Sequence, residues 1–287
     1  MENHYDAICL SGGGTKGILL LGALQYLFEN KMYQYEKVKE YAGTSIGSAL
    51  ALLLSCGYTP MEIFSRIYMM ESFFNVKDCG NIWTIIKEMG LISIQSFIDK
   101  LKDLIIEKFD FVPTLEELKT LTGKTLYVSS VNLTNMCEQK LCHLTHPDMS
   151  CLEAVKISCN LPIVFQRLKY KNSLFVDGGI LNNYPWNYLS NESKNVLGII
   201  LSGVDKSFSE DSFFGYFYRL MILPANQMTE LRHQLAPPHV STMKIKWGGS
   251  SVISFSMKQE DKMKMFVKGY DQAEMWSLSK DLVVKGW

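Results

Sequence analysis

Apolar positions along the chain form short unbroken runs that alternate with longer periodic stretches. Asp6 to Leu10 (DAICL) reads as a short buried strand that stops at glycine-rich sequence. From Thr15 to Phe28 the apolar spacing suits a helix. Val38 to Ala42 reads as a second strand, and Ile46 to Cys56 (IGSALALLLSC) as a strongly apolar helix closed by Gly57. Two strand–glycine–helix units in succession argue for a parallel α/β sheet.

Further on, Pro60 to Leu104 reads as mostly helical and rich in Met and aromatic residues. Pro113 to Leu121 is a short helix with Gly123 behind it. Thr125 to Asn132 and Lys140 to Leu144 read as strands, and Cys151 to Ser158 as a helix that must end before Pro162. Leu174 to Val176 leads into Asp177-Gly178-Gly179, and Val196 to Ser202 is another buried strand. The segment 206–243 fits no single period. Ile245 to Phe255 is expected as strand. Ser256 is the expected N-cap of a last helix whose inward face is Met263, Phe266, Val267 and Tyr270.

Composition narrows the class. The 287 residues are 47% hydrophobic and 20% charged, enough for a sizeable core. Lys plus Arg and Asp plus Glu number 29 each, so no global field recruits nucleic acid. The seven cysteines form no CxxC pair, which speaks against a zinc or thioredoxin-type site and for a reducing compartment. No signal peptide, spanning segment or lipidation motif is apparent. The expectation is a cytoplasmic or otherwise intracellular protein that meets membranes only peripherally.

Three motifs carry chemistry. Gly43-Thr44-Ser45-Ile46-Gly47 is G-x-S-x-G between a predicted strand and a predicted helix. An abrupt strand-to-helix turn thrusts the serine out above the sheet, with the helix N-terminus favouring an oxyanion nearby. Gly12-Gly13-Gly14-Thr15-Lys16-Gly17 also lies between strand and helix. Its bare backbone N–H groups suit an oxyanion hole. Gly12, Gly14 and Gly17 equally fit the dinucleotide fingerprint G-x-G-x-x-G, with Glu40 the one acid near the next strand. Asp177 with Gly178 and Gly179 offers a carboxylate on a close-approaching turn, though a plain Asp-Gly turn uses the same letters. Ser45, Asp177 and His233 or His239 would also satisfy the chain order Ser…Asp…His.

Together SGGGTKG, GTSIG and VDGGILNNYP, with Ser158 four residues before Pro162 in ISCNLPIVF, resemble the patatin-like phospholipases. Ile157 stands where that family usually has alanine. The resemblance runs from about residue 6 to 202 and continues weakly beyond. It implies an α/β/α sandwich with a mixed, mainly parallel sheet, formed as one domain over 1–287 with 203–287 completing it. It implies a Ser45–Asp177 dyad without histidine, an oxyanion hole among Gly12 to Gly17, supporting glycines at 43, 47, 178 and 179, and neither metal nor cofactor. The expected substrates are acyl esters of phospholipids or lysophospholipids, met at a membrane or lipid aggregate. Lys16 is a candidate for the lipid phosphate, a solvated lysine at a helix start being the plainer expectation. Residues 213–223 are expected to contribute to an acyl channel or a membrane-contacting surface.

Overall fold

The computed structural model describes residues 4–70, 90–203, 213–248 and 257–284. In chain order its elements are β1 (Ala7–Leu10), α1 (Gly17–Glu29), β2 (Glu40–Thr44), α2 (Ile46–Ser55), α3 (Pro60–Met69), β3 (Gly90–Ile92), α4 (Gln95–Phe109), α5 (Leu115–Thr122), β4 (Thr125–Asn132), β5 (Cys137–Leu141), α6 (Cys151–Ser158), β6 (Ile163–Phe165), β7 (Leu168–Tyr170), β8 (Ser173–Asp177), β9 (Val196–Ser202), α7 (Phe213–Gln234), β10 (Val240–Lys246) and α8 (Gln259–Val284).

The main sheet has the order β10-β9-β1-β2-β4-β8-β7, with β5 also on β4. Strands β10, β9, β1, β2 and β4 are parallel, while β5 and β8 oppose β4 and β7 opposes β8. The sheet is mixed and mainly parallel, with flanking helices. Strand alternation explains the unbroken apolar letters. In β1, Ile8 and Leu10 point into one core, and Ala7 and Cys9 into the other. The larger core takes residues from every described helix except α7. The smaller is closed by Tyr184, Tyr188 and Trp186, with Ala236 just beyond α7.

Several boundaries depart from the sequence reading. The expected helical stretch 60–104 contains α3 and α4 with the short strand β3 between, and 71–89 lie outside the described residues. Helix α5 starts at Leu115 because Thr114 and Glu117 form a reciprocal cap. Strand β5 ends at Leu141, not Leu144, because a turn follows in which Cys142 O accepts from the N–H groups of Thr145 and His146. Strand β10 ends at Lys246 and so meets the segment expected to be strand only at Ile245 and Lys246; 249–255 and Ser256 lie outside the described residues. The unassigned stretch becomes the long helix α7, with Pro224 inside it.

The inward face of α8 is Lys262, Met265, Phe266, Gly269 and Ala273; Met263 and Val267 are exposed. Backbone crowding decides this. A Cβ on Gly269 would lie 2.0 Å from Leu19 O, and one on Gly22 would lie 1.9 Å from Phe266 O. Helices α1 and α8 therefore cross at glycine contact, closer than any side chain allows.

Candidate active site

Strand β4 brings the distant motifs together. Along one edge it carries β5, with Lys140 opposite Ser129 and Gln139 opposite Ser130. Two strands share its other edge. Strand β2 runs up it in parallel and ends with Thr44 beside Ser129. Strand β8 runs down it antiparallel and ends with Asp177 beside Ser130. The two strands meet end to end, so Ser45 and Asp177 leave the sheet at adjacent rungs.

Ser45 occupies φ 53°, ψ −130°, a strained conformation for a residue with a Cβ. Its surroundings hold it there. The Ser45 N–H donates to Ser158 Oγ at 2.8 Å, and Ser158 Oγ donates to Ser129 O at 2.6 Å. Ser158 thus ties the turn to β4. A Cβ on Gly43 would lie 2.4 Å from Gly47 O, and one on Gly47 would lie 2.4 Å from Leu10 O, so the turn closes only with glycine at both positions.

Asp177 is buried, at 3% exposure, and accepts the Gly179 N–H at 2.7 Å. Burial pushes its pKa up from 3.8 to about 6, while the Ser45 hydroxyl beside it and the Gly179 N–H draw it back down. Gly178 packs on the Ser129 backbone. The following loop is pinned through Asn182 O, which accepts the hydroxyls of Thr44 at 2.8 Å and Ser129 at 3.0 Å.

The glycine loop follows β1. The Gly12 N–H is committed to Asn183 Oδ1 at 3.0 Å, and the Lys16 N–H to Gly13 O at 3.2 Å. The Gly17 N–H turns to the carbonyls of Gly14 and Thr15. Gly13 and Gly14 keep N–H groups with no acceptor among the described residues. Lys16 is 5% exposed and lines the cavity, so it is not a solvated lysine at a helix start.

Ser45, Asp177 and the glycine loop all face one cavity of about 150 Å³. Ser45, Asp177 and residues 12–17 form its polar end; Leu50, Ile67, Phe97, Leu161 and Phe165 form much of its apolar wall. Helix α7 contributes Tyr218 and Ile222. Sequence reasoning missed Asn183, although it stands in the quoted VDGGILNNYP. It also missed Cys159, whose buried thiol lies against Asp177 and Ser45. No histidine lines the cavity among the described residues. His233 sits in the last turn of α7 beside Glu230 and Lys244. Glu40 starts β2, at the far end of the sheet from the glycine loop, and accepts from Ser190 N–H and Ser193 Oγ. It is not placed to hold a ribose beside that loop. Among the described residues no group of three or more His, Cys, Asp or Glu side chains is placed to hold a metal ion.

A serine on a strained strand-to-helix turn, beside a glycine-rich loop on a mainly parallel sheet, defines a hydrolase-type α/β architecture. Residues 8–190 match the patatin-like phospholipase family, and the chain belongs to it. It is 34% identical over 184 residues to a probable lipid hydrolase of Invertebrate iridescent virus 6, covering 63% of this chain and 62% of that protein, less than two thirds of its length. It is 30% identical over 229 residues to triacylglycerol lipase 5 of Saccharomyces cerevisiae, covering 69% of this chain and 30% of that protein. Among solved structures, VipD from Legionella pneumophila superposes with a TM-score of 0.57 at 16% identity, over 96% of this chain and 67% of that one. That likeness is one of fold.

Proposed function

We propose that this chain hydrolyses fatty-acyl esters of phospholipids or lysophospholipids through a Ser45–Asp177 dyad. The observation that carries the reading is the end-to-end meeting of β2 and β8 on β4, which sets a serine and a buried carboxylate in one largely apolar cavity. Ser45 Oγ attacks the ester carbonyl carbon as its proton passes to Asp177. The tetrahedral oxyanion is held by the N–H groups of Gly13 and Gly14, the donors left uncommitted. The ester C–O bond then breaks, and Asp177 returns the proton to the departing alkoxide. Water attacks the acyl-Ser45 carbonyl and gives its proton to Asp177. The fatty acid leaves as Ser45 regains a proton.

The reading extends to a lipid surface. Helix α7 lines the cavity with Tyr218 and Ile222, while Tyr216, Phe217, Leu220 and Leu223 on its other faces are exposed. The side chains of Phe213 and Phe214 lie outside the described residues. Exposed aromatic and aliphatic residues on the helix that walls the cavity favour docking where the substrate resides.

The test is fluorophosphonate labelling together with fatty-acid release from phospholipid vesicles and from a triacylglycerol emulsion. Ser45→Ala is expected to abolish both, and Asp177→Asn to reduce release by at least a hundredfold. Release by wild type is expected to rise with pH through about 6, as Asp177 loses its proton. Release that survives in Ser45→Ala would defeat the reading; preference for the emulsion would move the substrate to neutral glycerides.

A further inference from the structure

One side chain lies between the three motifs of the site. Asn183 lines the cavity, and its Oδ1 accepts the Gly12 N–H at 3.0 Å. The donor is an N–H, so the amide turns its oxygen to the glycine loop. A Cβ on Gly12 would lie 2.5 Å from that oxygen and 3.0 Å from Ser45 Cβ. A Cβ on Gly179 would lie 3.1 Å from the same oxygen and 3.0 Å from Asp177 Oδ1. Two glycines far apart in sequence are thus bare on either side of one amide. The amide itself is held from behind by its neighbour. Asn182 donates its N–H to Gly178 O at 2.8 Å, and its carbonyl accepts the Thr44 and Ser129 hydroxyls. Its Nδ2 donates to Glu138 Oε1 at 2.7 Å and to Asn187 Oδ1 at 3.0 Å. The other side of the glycine loop is fixed to β9. Ser11 Oγ accepts the Leu201 N–H at 2.9 Å and donates to Gly12 O at 3.2 Å.

We propose that Asn183 is a positioning residue of the reaction, which sets the glycine loop in register with Ser45 and Asp177. The clamp works through Gly12. Asn183 takes its N–H and Ser11 takes its carbonyl, so the peptide planes on both sides of Gly12 are fixed. The Gly13 N–H belongs to the second of those planes, and it is one of the two donors left for the oxyanion. Gly12 therefore gives the oxyanion no donor of its own and aims that of Gly13. The role suits an amide. An aliphatic side chain would orphan the Gly12 N–H, and a carboxylate would set a second negative charge beside Asp177. This rests on the acyl-hydrolase reading above and adds to it a residue that acts on the oxyanion through the loop.

The readout is the oxyanion hole itself. Sulfur in place of the carbonyl oxygen accepts hydrogen bonds poorly, so the preference for an ester over its thionoester measures how well the donors are aimed. The soluble pair p-nitrophenyl butyrate and p-nitrophenyl thionobutyrate, hydrolysed by the whole chain, gives that ratio. In Asn183→Ala, kcat for the ester is expected to fall at least about a hundredfold with KM little changed. The ester-to-thionoester ratio should fall at least about tenfold. Asn183→Asp keeps an oxygen for the Gly12 N–H and should recover most of the ratio. Its added negative charge should move the midpoint of the pH–rate profile up by about one unit or more. Lys16, Cys159 and Tyr218, the other ionisable side chains on the cavity, are common to both proteins and leave the comparison unaffected. An equal loss on ester and thionoester in a folded Asn183→Ala would reduce Asn183 to packing. An unmoved pH midpoint in Asn183→Asp would place its side chain away from the base. Either result overturns the proposal, and the second variant decides the matter should Asn183→Ala fail to fold. A wild type that hydrolyses neither ester and takes no fluorophosphonate would overturn the acyl-hydrolase reading, and this proposal with it.

Discussion

At the scale of single residues, Asp177 has the clearest thermodynamic signature. Its carboxyl is buried and its pKa is raised to about 6, chiefly by loss of solvation. A raised carboxyl pKa means that the folded state holds the proton more tightly than the unfolded one. Its contribution to stability is therefore present below about 4 and lost as pH rises through about 6. Asp177→Asn removes the ionisation and keeps an oxygen for the Gly179 N–H. The variant is expected to be the more stable protein at pH 8, by on the order of 3 kcal/mol and roughly 5 °C in Tm. The gap should close near pH 4, and thermal melts at the two pH values check it. The positions of Ser45, Asp177 and the glycine loop were legible in the sequence because each lies at a strand end, where glycine spacing and apolar runs coincide. Asn183 was not, because its part depends on Gly12, far away in sequence. Nor was the withdrawal of the Gly12 and Lys16 N–H groups from the set of free donors, since only the folded loop shows where each points.

At the scale of elements, strands buried on both faces declared themselves, while those set by pairing did not. Strands β1, β4 and β9 show as apolar runs; β3, β6 and β7 are three residues each and exist only through their partners. Helix α8 misled for a related reason. Its inward face includes Lys262, whose Nζ caps the end of α3 by donating to the carbonyls of Ile67, Tyr68 and Met70, and Gly269, which admits α1. Neither is apolar by letter. Helix α7 resisted assignment because its apolar residues are not confined to one face. Tyr216, Leu220 and Leu223 are 57%, 51% and 62% exposed, whereas Tyr218 and Ala225 are buried. Changing those three exposed residues to Ser is expected to weaken binding to phosphatidylcholine vesicles at least tenfold, since each such side chain contributes about 1 to 2 kcal/mol when buried in lipid. Vesicle co-sedimentation reads the loss. Unaltered binding would assign that face to another partner.

At the scale of the whole molecule, equal numbers of acidic and basic residues leave no net attraction to an anionic surface. Vesicle binding through α7 is accordingly expected to be driven by apolar burial and to change less than twofold between low and high salt. A steep fall with salt, measured by the same co-sedimentation, would point instead to a local basic patch. The meeting of β2 and β8 on β4 has a temporal consequence. Ser45 is made early and Asp177 much later, and their proximity depends on a long-range antiparallel pairing that cannot form until β8 has left the ribosome. A nascent chain that has reached only α6 carries Ser45 but not yet Asp177. On the proposed chemistry, a half-synthesised copy is harmless to the membranes around it, and the last residue of β8 to dock is the one that arms the enzyme.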